Sequence, residues 1–337
     1  MHMADALISP AVGGAMIAVS GASLAWSIRK DRGHPPDDRK IPLMGVMSAF
    51  VFAAQMVNFT IPGTGSSGHI GGGILLAALL GGGPALLCIT AVLAIQCLLF
   101  ADGGLLALGC NLFNMGVVPC LVAYPLIYRP IAGNGGNRRR LTVASVAAAV
   151  AGLQLGALAV VGQTTLSGIS HLPIGAFLML MQPIHLAIGV AEGLITAAVL
   201  LYVGRARPEL LKASHERRPL PAGAPLKRVL VALAALTLVV GGGLSLLASS
   251  HPDGLEWSIG GALRQSAAAG DGELAPVSGG AYDAAAGVQR ATAVMPDYAF
   301  KDSEAGTSVA GVVGSGAVLL VAAGSGLLAA RLRRRAR

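Results

Sequence analysis

The sequence predicts an all-α polytopic membrane protein with about nine transmembrane helices, its N-terminus outside the cell and its C-terminus in the cytoplasm. Of its 337 residues, 54% are hydrophobic and 12% are charged. Together with a mean hydropathy of +0.69, these values are typical of integral membrane proteins and not of soluble enzymes. The apolar stretches are continuous and lack the alternation of a closed β-barrel, so we expect them to span the membrane as helices.

Nine apolar stretches are candidates for membrane spans. In chain order they cover residues 9–28, 42–60, 69–81, 84–100, 105–128, 141–163, 174–203, 227–248 and 308–330. The helix-breaking sequence Gly81-Gly82-Gly83-Pro84 separates the third span from the fourth. Glycine is abundant, at 47 residues, and small residues let neighbouring membrane helices approach closely.

The basic residues predict the orientation. All but three of the 24 lysines and arginines fall in four groups, which follow the first, fifth, seventh and ninth spans. With nine spans and an outer N-terminus, all four groups are cytoplasmic, as the positive-inside rule favours. The exceptions are Arg264, Arg290 and Lys301, in a predicted outer loop. Because the charges lie in short loops between spans, the net charge of +8 does not indicate nucleic-acid binding.

The chain divides into two predicted modules. Residues 1–203 form a bundle of about seven helices, residues 204–226 form a cytoplasmic linker rich in Arg and Pro, and residues 227–337 form two helices around an outer loop at about 249–307. The Gly, Ala and Ser content of this loop predicts little regular structure. The loop could capture cations or serve as a spacer. Its acidic residues are Asp253, Glu256, Asp271, Glu273, Asp283, Asp297, Asp302 and Glu304.

The chain begins Met1-His2, which offers a metal three nitrogens in one run: the α-amine of Met1, the backbone nitrogen of His2 and the His2 imidazole. No basic n-region or cleavage site follows, so we expect the Met1 amine to be the mature N-terminus. Both the amine, with an ordinary pKa of about 8, and the amide must lose a proton to bind. A fourth nitrogen would complete a square-planar set, which points to Ni(II) or Cu(II).

His69 is the candidate for that fourth nitrogen. It lies in the outer segment 59–70, and Gly68 and Gly71-Gly72-Gly73 flank it. A glycine-rich entry to a short helix is suited to a re-entrant loop that presents a ligand. A hydrogen bond from the imidazole to a loop carbonyl is the alternative role.

Other polar residues lie within or beside the predicted spans. His171 lies in an outer loop, while His185 and Glu192 lie in the seventh span and could form an ion relay or hydrogen bonds between helices. Four amides are expected to bridge helices, and four cysteines to act as small buried hydrophobic residues. These are Asn58, Gln96, Asn111 and Asn114, and Cys88, Cys97, Cys110 and Cys120.

The sequence contains no Walker A, GxSxG, HExxH or paired-cysteine motif. The chain is therefore not predicted to be an enzyme, and any uphill transport needs ATP hydrolysis by a partner. One alternative is a metal-independent permease or vitamin-type carrier, although two Trp and five Tyr do not favour a substrate that stacks on rings. Another is an intramembrane enzyme, which lacks a nucleophile–base or metal-ligand pattern in the spans.

Four segments carry a family resemblance. MHMADALISP at residues 1–10, GSSGHIGGG at 65–73 and HPDGLEW at 251–257 resemble the CbiM/NikM substrate-binding components of energy-coupling factor transporters. The C-terminal module, with MPDY at 295–298, resembles the NikN or PDGLE component. The resemblance covers nearly the whole chain.

The resemblance implies a specific site and a transport function. Family metal ligands carry over to Met1, His2 and His69, with Ni(II) or Co(II) as the transported substrate and no organic cofactor. The partners would be a transmembrane coupling (T) subunit and cytoplasmic ATPases in a bacterial or archaeal inner membrane. The metal would move inward as the binding component tilts, and the NikN-like part would help to load the site. The choice between nickel and cobalt stays open.

Overall fold

The computed structural model describes residues 1–30, 38–170, 172–216, 218–220, 226–267, 277–299 and 306–335. In this part of the chain, the regular secondary structure is helical apart from one small antiparallel hairpin of β1 (Phe59–Ile61) and β2 (Ser66–Gly68). The helices, in chain order, are α1 (Pro10–Lys30), α2 (Lys40–Gln55), α3 (Gly73–Leu80), α4 (Gly82–Leu99), α5 (Leu108–Ala132), α6 (Arg138–Ser167), α7 (Ile174–Ala206), α8 (Pro208–Glu216), α9 (Lys227–Gly242), α10 (Gly254–Ala267), α11 (Gly280–Thr292) and α12 (Gly306–Arg335).

The predicted helical membrane fold is confirmed. Among the described residues, seven helices are long and apolar enough to cross a membrane: α1, α4, α5, α6, α7, α9 with its following turn, and α12. Helix α2 is apolar but has 16 residues, a length of about 24 Å. Each of the nine predicted spans contains a helix, but the helices of the second and third spans, α2 and α3, are not among these seven.

The third predicted span is the clearest departure. Helix α3 has only eight residues and is about 12 Å long, too short for a hydrocarbon core of about 30 Å. Gly72 (φ +77°) and Gly81 (φ +91°) bound it in conformations that L side chains rarely adopt. Hydropathy detects the apolar run but not these two stops. All eight residues of α3 are buried at the centre of the bundle.

Glycines allow α6 and α7 to pack in close contact. A Cβ added at Gly189 or Gly193 of α7 would lie 2.9 Å and 2.4 Å from the backbone of α6, at Val150 and Val146. Such small-residue contacts are typical of membrane helix pairs. The C-terminal helices use the same device, because a Cβ at Gly311 of α12 would lie 2.1 Å from the carbonyl oxygen of α9 Gly241.

The region predicted as a linker, residues 204–226, is partly integrated into the bundle. Helix α7 continues to Ala206, and α8 follows at once. Leu210, Leu211 and Ala213 of α8 are buried, and α8 packs against α3. The apolar positions of this short amphipathic helix turn inward, whereas its Arg and Pro content suggested only a connection.

The outer loop at about 249–307 contains more regular structure than its composition suggested. It holds α10, α11 and a 3₁₀ turn at Pro296–Tyr298. Helix α10 begins with a capping box, in which Asp253 Oδ1 accepts hydrogen bonds from the N–H groups of Leu255 (2.9 Å) and Glu256 (2.8 Å). The alanine-rich sequence of α11 favours a helix there. Asp271, Glu273, Asp302 and Glu304 lie outside the described residues.

Candidate metal site

The first residues of the chain are inserted into the bundle and are held by their backbone. Met1 and Met3 are buried. Asn111 of α5 accepts a hydrogen bond from the Met3 N–H at 2.8 Å and donates one to the Met3 carbonyl at 3.2 Å. The Gly104 N–H also donates to that carbonyl, at 2.9 Å. Asn111 therefore holds the N-terminal segment in place through Met3, and this contact is not the bridge between helices that the sequence suggested.

A chain of amides orients the His2 ring. The carbonyl of Gly71 can only accept, so the Gln55 side chain turns its nitrogen to it at 2.8 Å. The oxygen of Gln55 then accepts from Gln96 Nε2 at 2.8 Å. This leaves Gln96 Oε1 facing His2 Nε2 at 3.1 Å. Because an amide oxygen only accepts, Nε2 of His2 carries the proton and Nδ1 is the free acceptor.

His69 lies beside His2 in the complementary tautomer. The two rings stack with centroids 5.3 Å apart and planes 29° apart. His69 Nδ1 donates to the Ile70 carbonyl at 3.0 Å, the loop hydrogen bond considered from the sequence, and this leaves Nε2 as an acceptor. Burial, the N-terminal ammonium and the neighbouring His2 lower the pKa of His69 to about 4. A neutral imidazole is the form that binds a metal ion.

Glu192 fixes the backbone that follows His69. Its two carboxylate oxygens accept from the N–H groups of Gly71 (2.8 Å) and Gly72 (3.0 Å). His185, one of the two members of the suggested relay, instead donates from Nδ1 to the Met181 carbonyl of its own helix at 2.8 Å. The sequence suggested an ion relay or interhelical hydrogen bonds for Glu192, whereas its carboxylate holds the loop that leads from His69 into α3. His171 lies outside the described residues.

Asp253 of the C-terminal module reaches the N-terminus itself. Its Oδ2 lies 3.2 Å from the Met1 nitrogen. Burial alone would raise the pKa of Asp253, but the N-terminal ammonium and the Glu256 N–H hold it well below its usual range. The sequence offered two signals for this residue: the PDGLE motif, which carried the resemblance, and its place among the acidic loop residues considered for cation capture.

A second carboxylate, that of Asp102, lies near the His2 ring. Asp102 Oδ1 is 3.7 Å from His2 Nδ1, too far for a hydrogen bond. Its other oxygen accepts from the Tyr298 hydroxyl at 2.5 Å. Tyr298 belongs to the MPDY motif, so both motifs of the C-terminal module lie close to the two N-terminal residues. Burial and Asp102 raise the pKa of Tyr298 well above its usual value.

Met1, His69, His185 and Asp253 line a cavity of about 10 Å³, close to the minimum for one water-sized body. In the part of the chain that the structure describes, no three His, Cys, Asp or Glu side chains cluster as a metal site. The arrangement here is different, because two of the four candidate donors are main-chain nitrogens. The structure therefore brings Met1, His69 and Asp253 together around a space of that size.

Comparison with known proteins agrees with this membrane architecture. The family model described as the cobalt uptake substrate-specific transmembrane region, CbiM, matches residues 2–210, and that of the PDGLE domain matches residues 227–331. The fused nickel transport protein NikMN of Rhodobacter capsulatus is 32% identical in an alignment of 353 positions, gaps included. The alignment covers 98% of this chain and 97% of the relative. The cobalt transport protein CbiM of Geobacter sulfurreducens is 31% identical, over 71% of this chain and 70% of the relative.

Two solved structures are also similar. One described as a transition metal transporter has a TM-score of 0.54 and 31% identity, covering 65% of this chain and all of that one. A truncated transition metal transporter has a TM-score of 0.53 and 30% identity, covering 61% and 99%. These relatives are transporters and not enzymes. The chain belongs to the CbiM family of cobalt and nickel transport membrane components, in the form fused to a PDGLE domain as in NikMN.

Proposed function

We propose that this chain is the ion-binding component of an ATP-driven energy-coupling factor importer, and that it binds Ni(II) or Co(II) through four nitrogens. They are the Met1 amine, the backbone nitrogen and Nδ1 of His2, and Nε2 of His69. The observation that carries the proposal is the pair of tautomers: hydrogen bonds occupy His2 Nε2 and His69 Nδ1. Each of the two stacked rings thereby keeps its other nitrogen as an acceptor that can bind a metal ion.

The residues also fit the chemistry of binding. Met1 nitrogen, His2 nitrogen and His2 Nδ1 can close two fused chelate rings, and such rings hold their donors in one plane. Square-planar nitrogen donors favour Ni(II) or Cu(II) over Zn(II). Partners bound outside the ligand set orient ligands and tune affinity. Gln96, Glu192 and the loop carbonyl of Ile70 are such partners here.

The transport direction follows from the proposed orientation. The positive-inside rule supports a cytoplasmic location for the far end of α3, where Lys30, Lys40, Arg218 and Gly81 line one cavity. The N-terminal site lies at the opposite, outer end of α3 and receives the ion first. Because the sequence has no Walker A motif, ATP hydrolysis belongs to partner ATPases linked through a transmembrane coupling subunit.

Nickel titration of the purified full chain tests the proposal. His2→Ala and His69→Ala are each expected to weaken nickel binding by more than a hundredfold. A Gly-Ser extension before Met1 should do the same, because it converts the amine into an amide. Intact mass must first show that the purified chain begins with an unmodified Met1. His215→Ala, which changes a histidine of α8, is the matched control and should bind as the wild type does.

Two results would contradict the proposal. Nickel binding that survives in both histidine variants would exclude the nitrogen site. Uptake of labelled nickel or cobalt that does not depend on co-expressed coupling and ATPase subunits would exclude the importer assignment. Parallel titrations with Ni(II) and Co(II) decide between the two ions.

A further inference from the structure

The C-terminal module is hydrogen-bonded to strand β2 of the hairpin, directly beside the site. The Ser67 N–H donates to the Pro252 carbonyl at 2.8 Å, and its hydroxyl donates to the His251 carbonyl at 2.8 Å. Ser67 and Asp253 form a parallel bridge. Ser67 is two residues from His69, so this pairing fixes the segment 251–253 relative to the imidazole.

Two further contacts seat the same segment. The Trp257 indole N–H donates to the Thr64 carbonyl at 2.9 Å. A Cβ added at Gly254 would lie 3.0 Å from Ile188 and 3.2 Å from the His185 ring, so the backbone of the segment is pressed against α7. Asp253 therefore approaches the amine from a segment fixed by its bridge to β2 and by the cap of α10, and not from a loose acidic loop.

The charge at the proposed site explains why one carboxylate suits this position. The Met1 ammonium lies 3.2 Å from Asp253 Oδ2, and Met1 is almost entirely shielded from solvent. Under the proposed function, a divalent cation would occupy the same place once the site is loaded. A buried charge needs a partner, and a single fixed carboxylate balances both states.

We propose that Asp253 is the counter-charge of the metal site: it holds the Met1 amine in place before loading and offsets the bound ion afterwards, without being a ligand. This inference rests on the proposed function. It gives the PDGLE motif a defined role, in which Asp253 faces the amine and Glu256 completes the cap that fixes Asp253. Asp102, more exposed and bound to Tyr298, flanks the imidazole side.

Asp253→Asn in the full chain isolates the charge. Asparagine is as good an N-cap as aspartate, so the start of α10 is retained while the negative charge is lost. Nickel affinity is expected to fall about tenfold to a hundredfold, the worth of one charge-assisted contact. Asp253→Glu, which keeps the charge, should restore most of the loss. Asp283→Asn, which removes an exposed carboxylate of α11, is the matched control and should change affinity less than about twofold.

Two spectroscopic measurements accompany the titration. Emission of Trp257 should be unchanged in Asp253→Asn, since the segment stays seated. The visible absorption of the nickel-saturated variant should match the wild type, because the four nitrogens are untouched. Wild-type affinity in Asp253→Asn, failure of Asp253→Glu to rescue, or a shifted nickel spectrum would each overturn the inference.

The failure of this inference can be distinguished from the failure of the proposed function. If His69→Ala abolishes nickel binding while Asp253→Asn binds as the wild type does, only the counter-charge role is wrong. If His69→Ala also binds normally, the nitrogen site itself is wrong.

Discussion

Replacing Gln96 by leucine tests whether the amide chain at the site sets the tautomer of His2. Gln96 is 1% exposed and contacts His2 on one side and Gln55 on the other. Leucine fills a similar volume but neither accepts from His2 Nε2 nor donates to Gln55. The ring is then free to rotate and to place its proton on either nitrogen. A fraction of the population would present a protonated Nδ1, which cannot bind a metal ion.

The size of the effect follows from the contacts that are lost. Removal of a partner that orients a metal ligand costs about tenfold to a hundredfold in affinity, or roughly 1.4 to 2.8 kcal/mol. Stability falls as well, because Gln55 Oε1 stays buried without its donor, at a cost of about 1 to 3 kcal/mol. The affinity loss and the stability loss have separate causes and are measured separately.

Nickel titration and thermal unfolding of the metal-free chain supply the two measurements. Gln154→Leu is the matched control. The side-chain amides of Gln154 and Gln182 each donate to the other residue's main-chain carbonyl and so join α6 to α7. The control is expected to lower the unfolding temperature but not the nickel affinity. If Gln96→Leu binds nickel as tightly as the wild type, or no more weakly than Gln154→Leu, the tautomer argument is refuted.

Two further substitutions probe the backbone around the site. In Glu192→Gln, an NH₂ donor replaces one of the two carboxylate oxygens that accept from the Gly71 and Gly72 N–H groups. Nickel affinity, measured by titration, should drop about tenfold. Unchanged affinity would show that the His69 loop needs no such support. Gly254→Ala places a methyl 3.0 Å from Ile188 and 3.2 Å from His185, so Trp257 emission should shift as the segment 251–254 moves. The control Gly287→Ala, with open space around its Cβ position, should leave the emission unchanged. Equal spectra for both variants would contradict the close packing.

Composition and charge predicted the membrane class because they are sums over many residues. The same hydropathy missed the shortness of α3, since a handful of backbone angles at Gly72 and Gly81 ends the helix there. The loop helices α10 and α11 were missed because their small residues are equally typical of disorder. Local caps and contacts with the bundle, which composition does not report, stabilise them.

In the candidate site, too, some residues could be identified from the sequence while their contacts could not. Met1, His2 and His69 were selected from their chemistry, and the structure places the two histidine rings in contact; their role as metal ligands stays a prediction. Gln96 and Glu192 were noticed as polar residues in apolar spans, but their partners depend on how the helices assemble. Asp253 lies 252 residues from Met1, and no local pattern relates the two.

Under the proposed function, the shape of the bundle indicates why this chain would need a partner that supplies energy. Helix α3 is wholly apolar and buried along its length, and it separates the outer site from a cavity of about 180 Å³ lined by Lys30, Lys40 and Arg218. A cation would lose its nitrogen ligands on entering this apolar core and would then meet basic side chains, and both steps are unfavourable. Under the proposed function, the resting chain is therefore closed toward the cytoplasm. On the same proposal, release requires the site itself to move, because every residue of α3 is apolar and buried.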